Sequence, residues 1–181
     1  MNTSTSLSPP IWIPVNAYLV TLRVAGRDVA PQWSKATVDA TFREAQQLWQ
    51  QANINLRLCT REVIREELPP RFVEPIDHRG IDLLQSRICQ WKREAFNVAF
   101  LASTASANRL GGHVPNTRFV VMPYGTGWPT AIFGRTLAHE FGHILLGPEH
   151  FVPSEPAAAL ADNLMMQGFR GTRLTSDQIT R

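Results

Sequence analysis

Three of the five histidines in this chain fall between residues 139 and 150. His139 and His143 are four residues apart, and on a helix this spacing places both imidazoles on one face, where they can share a metal ion. Zinc binds neutral imidazole nitrogen at about 2.0–2.1 Å. Glu140 lies beside the ligand face, where its carboxylate can take a proton from zinc-bound water, whose pKa the metal lowers to about 7. The spacing therefore predicts a zinc site with an adjacent general base.

A third protein ligand is needed to complete such a site, and the residues after the helix offer one. Gly147 can take a left-handed conformation and Pro148 cannot continue a helix, so the chain is predicted to turn sharply after Leu146. The turn can bring His150 back beneath the metal. Core packing alone does not readily explain three histidines in so short a segment, which favours a metal site over a chance H-E-x-x-H.

The elements that must position this segment are predicted from hydrophobic periodicity and turn signals. Strands are predicted at residues 17–24, 54–58, 96–102 and 118–122. Helices are predicted at residues 34–52, with Ser34 as N-cap, at 79–95 and at 130–146. Thr175 to Gln178 form a capping box that begins a short last helix. The charged residues 62–75 are interpreted as a surface insertion, and the order of elements predicts a mixed α/β (α+β) fold with one sheet layer.

Residues 110–116 contain two adjacent glycines and a proline, so they can form only an edge strand or an extended loop. Gly111 and Gly112 would let a peptide backbone approach closely. This segment is therefore the candidate edge strand for an extended substrate. His113 could face the same cleft, although an exposed surface histidine is the commoner role for a lone histidine.

The composition is that of a globular protein. The chain has 181 residues, of which 44% are hydrophobic and 18% charged, which excludes wholesale disorder and fits one domain. We expect a flexible tail at residues 1–11 and a single domain at residues 12–181. Only two cysteines occur, Cys59 and Cys89, too few for a disulfide scaffold or a cysteine-built zinc cluster.

The charge pattern and the N-terminus restrict the partners. The formal net charge of +3 comes with scattered arginines and no basic stripe, so we expect no nucleic-acid partner. No apolar run approaches the ~18 residues of a spanning helix, so we expect no membrane partner. Residues 1–14 have neither a basic start nor an apolar segment typical of a secretory signal. The protein is therefore expected to be cytoplasmic or exported by a signal-independent route.

The segment HEFGHILLGPEH, followed by NLMMQG, resembles the metzincin zinc peptidases, whose signature is H-E-x-x-H-x-x-G-x-x-H and then a Met-turn. The predicted order of elements from about Ala17 to Gln167 is similar to theirs. The resemblance implies a metzincin-like zincin fold, with a twisted mixed sheet, an edge strand over the cleft, an active-site helix and a short C-terminal subdomain. It also implies roles for five residues: zinc ligands His139, His143 and His150, the general base Glu140, and Met165 as the hydrophobic floor of the Met-turn.

One departure from the family pattern concerns the third ligand. The spacing before the glycine is one residue longer here, so strict register would place Glu149 at the third ligand position. In one interpretation the helix runs one residue further, turns at Gly147 and keeps His150 as ligand. In the other, Glu149 or a later acidic residue, Glu155 or Asp162, completes the site. We favour His150 because imidazole suits zinc and the Gly-Pro turn is displaced together with the histidine.

The sequence therefore predicts a zinc-dependent endopeptidase that acts on a peptide or protein substrate. One alternative is a zinc-binding interaction module without catalysis. Another keeps the enzyme as a secreted effector or toxin protease with a narrow protein target, in which case a cognate inhibitor or immunity protein would be a partner. The intact Glu140 favours an enzyme over the silent module.

Overall fold

The computed structural model describes residues 9–69, 77–88, 94–102, 111–124, 128–147, 162–166 and 171–180. Within these residues the strands are β1 (Ile11–Val24), β2 (Arg27–Val29), β3 (Ile54–Glu67), β4 (Phe96–Leu101), β5 (Gly112–His113) and β6 (Phe119–Pro123). The helices are α1 (Lys35–Trp49), α2 (His78–Ile88), α3 (Thr130–Leu146) and α4 (Ser176–Thr180). A 3-10 turn, Gln50–Ala52, extends α1. The fold is mixed α+β, as the sequence predicted.

In the twisted, open sheet, β1 is the strand that pairs with three others. It pairs in parallel with β3 from Ile11 to Arg23 and with β4 along its other edge. The short strand β2 folds back antiparallel onto the C-terminal end of β1. Beyond β4 the sheet continues with the parallel strand β6, and β5 pairs antiparallel with β6 at the edge of the described sheet.

Helices cover both faces of this sheet, which is why β4 and β6 are buried throughout. On one face, Phe96, Val98 and Phe100 of β4 join the apolar core that includes residues of α1 and α3. On the other face, Ala99 and Leu101 of β4 join a core that includes residues of α2. Alternate side chains of one strand therefore enter two separate cores, as the two-residue period of a strand requires.

Local sequence signals determine the ends of α1. The Ser34 hydroxyl accepts a hydrogen bond from the Thr37 N–H at 3.0 Å, which confirms the predicted N-cap. The 3-10 turn ends at Asn53, whose φ of 55° lies in the left-handed region. Asparagine tolerates that conformation better than most residues, so the chain can reverse directly into β3.

The prediction that residues 62–75 form a surface insertion is wrong for residues 62–67, because β3 continues to Glu67. Val15 pairs with Leu58 and Asn16 pairs with Thr60, so Cys59 is an extra residue on β3. Even-numbered residues are partly buried on both sides of this β-bulge, but they change face: Leu58 packs against the core that includes α1, and Ile64 packs against the opposite core. Pairing with β1 continues beyond the bulge to Glu67.

Other boundaries differ by smaller amounts. Strand β1 begins at Ile11, six residues before its predicted start, so the last residue of the predicted tail pairs with Ile54. Helix α2 ends at Ile88 in the described part of the chain, residues 89–93 lie outside that part, and Glu94 and Ala95 are not helical. Among the described residues, no helix is both long and apolar enough to cross a bilayer.

Candidate metal centre

The helix that carries the H-E-x-x-H segment, α3, has the predicted bounds, Thr130–Leu146. Its histidines and glutamate are buried: the exposed fractions are 1% for His139, 4% for Glu140 and 8% for His143. The indole N–H of Trp49 on α1 donates to the Ala138 carbonyl at 3.1 Å, which ties α1 to α3 one residue before His139. A polar triplet this deeply buried is costly unless its groups have polar partners.

The imidazoles of His139 and His143 meet on one face of α3, as their spacing predicts. Their Nε2 atoms lie 3.1 Å apart and their ring planes are perpendicular. With Zn–N bonds of about 2.0–2.1 Å, two ligands of one tetrahedral zinc ion would lie about 3.3–3.4 Å apart. The observed pair of nitrogens is therefore a donor set that fits two positions around one zinc ion.

The tautomer of His139 is determined by a backbone carbonyl. The Nδ1–H of His139 donates to the Leu164 carbonyl at 2.7 Å, and because a carbonyl oxygen only accepts, the hydrogen must lie on Nδ1. In the neutral ring Nε2 then carries the lone pair that a metal requires. The Nδ1 of His143 lies 3.4 Å from the Gly147 carbonyl. This longer contact also favours the tautomer with the hydrogen on Nδ1.

Met165 lies directly beneath the helix turn that carries the histidines. It is 2% exposed, and a β-carbon added to Gly142 would collide with the Met165 sulfur. Gly142 therefore lets the methionine pack against the backbone of α3 between Glu140 and His143. The role that the resemblance implies for Met165, the floor of a Met-turn, stays a prediction.

The predicted edge strand lies at the edge of the described sheet, but it is only two residues long. A β-carbon on Gly111 would lie 2.6 Å from Thr136 Cγ2 and 3.2 Å from Glu140 Cγ. Because Gly111 has no side chain, α3 can pack closely against its backbone. This differs from the expectation that Gly111 makes room for a substrate. Around Gly112 no atom lies within 4 Å of such a β-carbon, so that position is open.

His113 on β5 is half-buried, and its ring stacks on His143 with centroids 5.4 Å apart and an interplanar angle of 22°. The commoner role of a solvated surface histidine is therefore wrong for this residue. Burial lowers the pKa of His113 below its ordinary value of 6.5, because the charged imidazolium loses hydration. Strand β5 lies within the predicted edge strand, and its pairing with β6 brings this ring against His143.

The third ligand stays a prediction. His150, Glu149 and Glu155 lie outside the described residues. Asp162 is described, but its Oδ1 accepts from Thr172 N–H and Oγ–H and its Oδ2 is 3.3 Å from Arg173 Nε. Across the described ranges, no group of three or more His, Cys, Asp or Glu side chains is arranged to hold a metal ion.

Sequence reasoning missed the Leu164 carbonyl and the residues that hold it, Asn163 and Gln178. The capping box at residues 175–178 is confirmed, since Thr175 N–H donates to Gln178 Oε1 and Gln178 N–H donates to Thr175 Oγ1. The capping box therefore indicated that Gln178 faces the helix start. No sequence signal indicated that Gln178 also reaches Asn163.

Comparisons with known proteins support the fold. No family model matches the chain, and no curated protein matches it in sequence. Among solved structures it is similar to metalloproteinase-II from Bacteroides fragilis, with a TM-score of 0.55 and 13% identity over 98% of this chain and 54% of that one. It is also similar to a chain in a chaperone–substrate complex, with a TM-score of 0.54 and 11% identity over 96% of this chain and 37% of that one.

These comparisons concern the fold class of the chain. The fold class predicted from the sequence is confirmed: the chain is mixed α+β with a twisted, open mixed sheet, consistent with the predicted metzincin-like fold, and its fold is similar to that of the metalloproteinase. The chain spans about half the length of that protein. At these identities the likeness concerns the fold alone, and a shared fold does not by itself carry an activity.

Proposed function

We propose that the protein is a zinc-dependent endopeptidase. The observation that carries this proposal is the pair of Nε2 atoms of His139 and His143, 3.1 Å apart on one face of α3, with Glu140 buried on the same helical turn. The similarity of the fold to a metalloproteinase supports it. Burying two imidazoles and a carboxylate together is costly for a purely structural purpose, and a shared cation offsets that cost.

In this proposal His139 and His143 hold the zinc ion through Nε2, and His150 is the third ligand by resemblance to the metzincin signature. Neutral imidazole nitrogens are the donors that zinc prefers, and the Leu164 carbonyl keeps His139 in the tautomer with a lone pair on Nε2. A zinc ion bound there would lower the pKa of a coordinated water and polarise a carbonyl oxygen.

Glu140 acts as the general base. Its side chain lies between α3 and the start of the edge strand, next to Gly111. A substrate chain that pairs antiparallel with β5 would therefore pass beside this carboxylate. Glu140 takes a proton from the attacking water as its oxygen bonds to the peptide carbon, and then delivers that proton to the amine nitrogen as the C–N bond breaks.

Peptide-library cleavage read by mass spectrometry, with zinc content measured on the same samples, tests this proposal. We expect the wild type to bind zinc and cut peptides. The Glu140→Ala variant should keep its zinc, and its turnover should fall by about 10²–10⁴-fold, the usual contribution of a general base.

The two outcomes that contradict the proposal concern different parts of it. A Glu140→Ala variant that cuts at the wild-type rate would overturn the assignment of the base. A wild type that binds zinc but cuts no member of the library would favour the interaction module without catalysis.

A further inference from the structure

Two buried side-chain amides, Asn163 and Gln178, bond to each other beneath the histidines. Asn163 Nδ2 donates to Gln178 Oε1 at 2.8 Å, and Gln178 Nε2 lies 3.4 Å from Asn163 Oδ1. The exposed fractions are 3% and 8%. Buried amides destabilise a protein unless their donors and acceptors are paired, so this pair fixes the C-terminal helix α4 to the turn at residues 163–166.

Asn163 also controls one particular peptide group. Its Oδ1 accepts from the Met165 N–H at 2.8 Å. The Met165 N–H and the Leu164 carbonyl belong to the same peptide unit, which is planar. A hydrogen bond that fixes the direction of the N–H therefore fixes the direction of the carbonyl, and that carbonyl accepts the Nδ1–H of His139.

The other anchors of this turn hold its position rather than the direction of that carbonyl. The Leu164 N–H donates to the Arg173 carbonyl at 2.7 Å, and the Met166 N–H donates to the Asn163 carbonyl at 3.1 Å. On the side of α4, the Gln178 amide is held by Thr175 N–H, which donates to its Oε1 at 2.8 Å. A continuous series of hydrogen bonds thus runs from the first turn of α4 to the imidazole of His139.

We propose that Asn163 and Gln178 are positioning residues that hold His139 in its Nδ1–H tautomer by orienting the peptide between Leu164 and Met165. Removing either amide frees that peptide to rotate, and the ring can then carry its hydrogen on either nitrogen. Every molecule with the hydrogen on Nε2 has lost one metal donor. The consequence for zinc rests on the proposed function, whereas the effect on the tautomer does not.

Imidazole ¹⁵N NMR of the metal-free, full-length protein, at a pH where the ring is neutral, measures this tautomer directly. We expect the wild type to show a single Nδ1–H form of His139. Gln178→Ala and Asn163→Ala should show averaged Nδ1 and Nε2 shifts. Zinc affinity, measured by competition with a chromophoric chelator, should fall by about 10–100-fold, as is typical when an outer partner of a ligand is lost.

Three further variants separate positioning from general destabilisation. Gln178→Glu keeps the acceptor for Asn163 and for Thr175 N–H, so it should keep the single tautomer. Arg173→Ala removes a side chain that is 80% exposed and leaves its carbonyl in place, so it should behave as wild type. Leu84→Ala weakens the core on the opposite face and should leave the tautomer unchanged.

The proposal is overturned if Gln178→Ala, folded as judged by its NMR spectrum, keeps the single Nδ1–H tautomer. It is also overturned if Leu84→Ala disturbs the tautomer as much as Gln178→Ala does. If Gln178→Ala does not fold, a mixed tautomer in Gln178→Glu overturns the proposal and a single Nδ1–H form supports it. A wild type that binds no zinc would contradict the proposed function, while the tautomer measurement would still decide this inference.

Discussion

The two faces of the sheet are both covered by helices, yet they are built from different contacts. On the face of α1 and α3, glycines at 111, 134 and 142 bring backbone and side chains so close that a β-carbon would collide with a neighbour. On the face of α2, the core consists mainly of aliphatic side chains, such as Leu84 and Ile88. The buried polar pair beside that core, Asn16 and Asn97, bonds within the sheet.

This difference indicates that the residues proposed for catalysis and the residues that only stabilise the fold lie on different faces of the sheet. Of the residues proposed to bind metal and move protons, His139, Glu140 and His143 lie on α3. Their surroundings depend on close contacts that only glycine permits. Among the described residues, those of the face of α2 contribute apolar burial, and none of them is assigned to the site. Substitutions on the first face should therefore change metal binding and activity, whereas those on the second should change only the free energy of unfolding.

The largest expected effect concerns the metal. In His139→Ala we expect zinc affinity to fall by more than about 100-fold, beyond the loss typical of an outer partner, because an Nε2 donor is removed. The thermal stabilisation that zinc gives to the wild type should disappear with it. Chelator competition measures the affinity, and a variant that still binds zinc as the wild type does would contradict the assignment of His139 as ligand.

A substitution in the core on the face of α2 should change only the free energy of unfolding. Leu84 is fully buried, so Leu84→Ala should lower the free energy of unfolding by about 2–5 kcal/mol, the usual cost of such a cavity. Denaturant unfolding gives this value. The zinc affinity of the folded variant should equal that of the wild type, and a weaker affinity would mean that the two faces are coupled.

A pair of glycine substitutions sharpens the comparison within the site face. In Gly142→Ala the new methyl group meets the Met165 sulfur, and overpacking of this kind costs about 1–3 kcal/mol. Zinc affinity should also fall, because Met165 must shift beneath the histidines. Gly112→Ala is the matched control, since its methyl group enters open space. Equal unfolding free energies for the two variants would show that Met165 moves without cost.

The smallest effect is expected at His113, which links the edge strand to His143. His113→Ala should lower stability by about 0.5–1.5 kcal/mol, the typical value of an aromatic pair. His113→Phe keeps a planar ring against His143 and should retain most of that stability. Denaturant unfolding of the two variants distinguishes them, and identical losses would exclude a contribution from stacking.

Local interactions explain which parts of the fold were predictable. Helix α3 has its predicted bounds because its apolar period and its terminal glycine are both encoded within a few residues. Gly147 has a φ of 114°, a conformation that is essentially restricted to glycine. The N-cap at Ser34 and the capping box at Thr175 are contacts between residues three apart. Such contacts depend on the nearby sequence alone.

Contacts between distant segments account for what was missed. The second half of β3 is a strand because it pairs with β1, and its partly buried side chains face the opposite core from those before the bulge at Cys59. The closeness of Gly111 to α3 depends on the pairing of β5 with β6. None of these features has a signal within a short window of sequence.

For this protein, the sequence by itself determined the fold class, the helix that carries His139, Glu140 and His143, and the placement of both imidazoles on one face. The helical period of 3.6 residues sets that placement, and it acts over four residues. Only the tertiary structure decided which carbonyl orients His139 and that the ring of His113 stacks on His143. Those contacts join segments 25 and 30 residues apart in the chain, and chain packing rather than local preference brings them together.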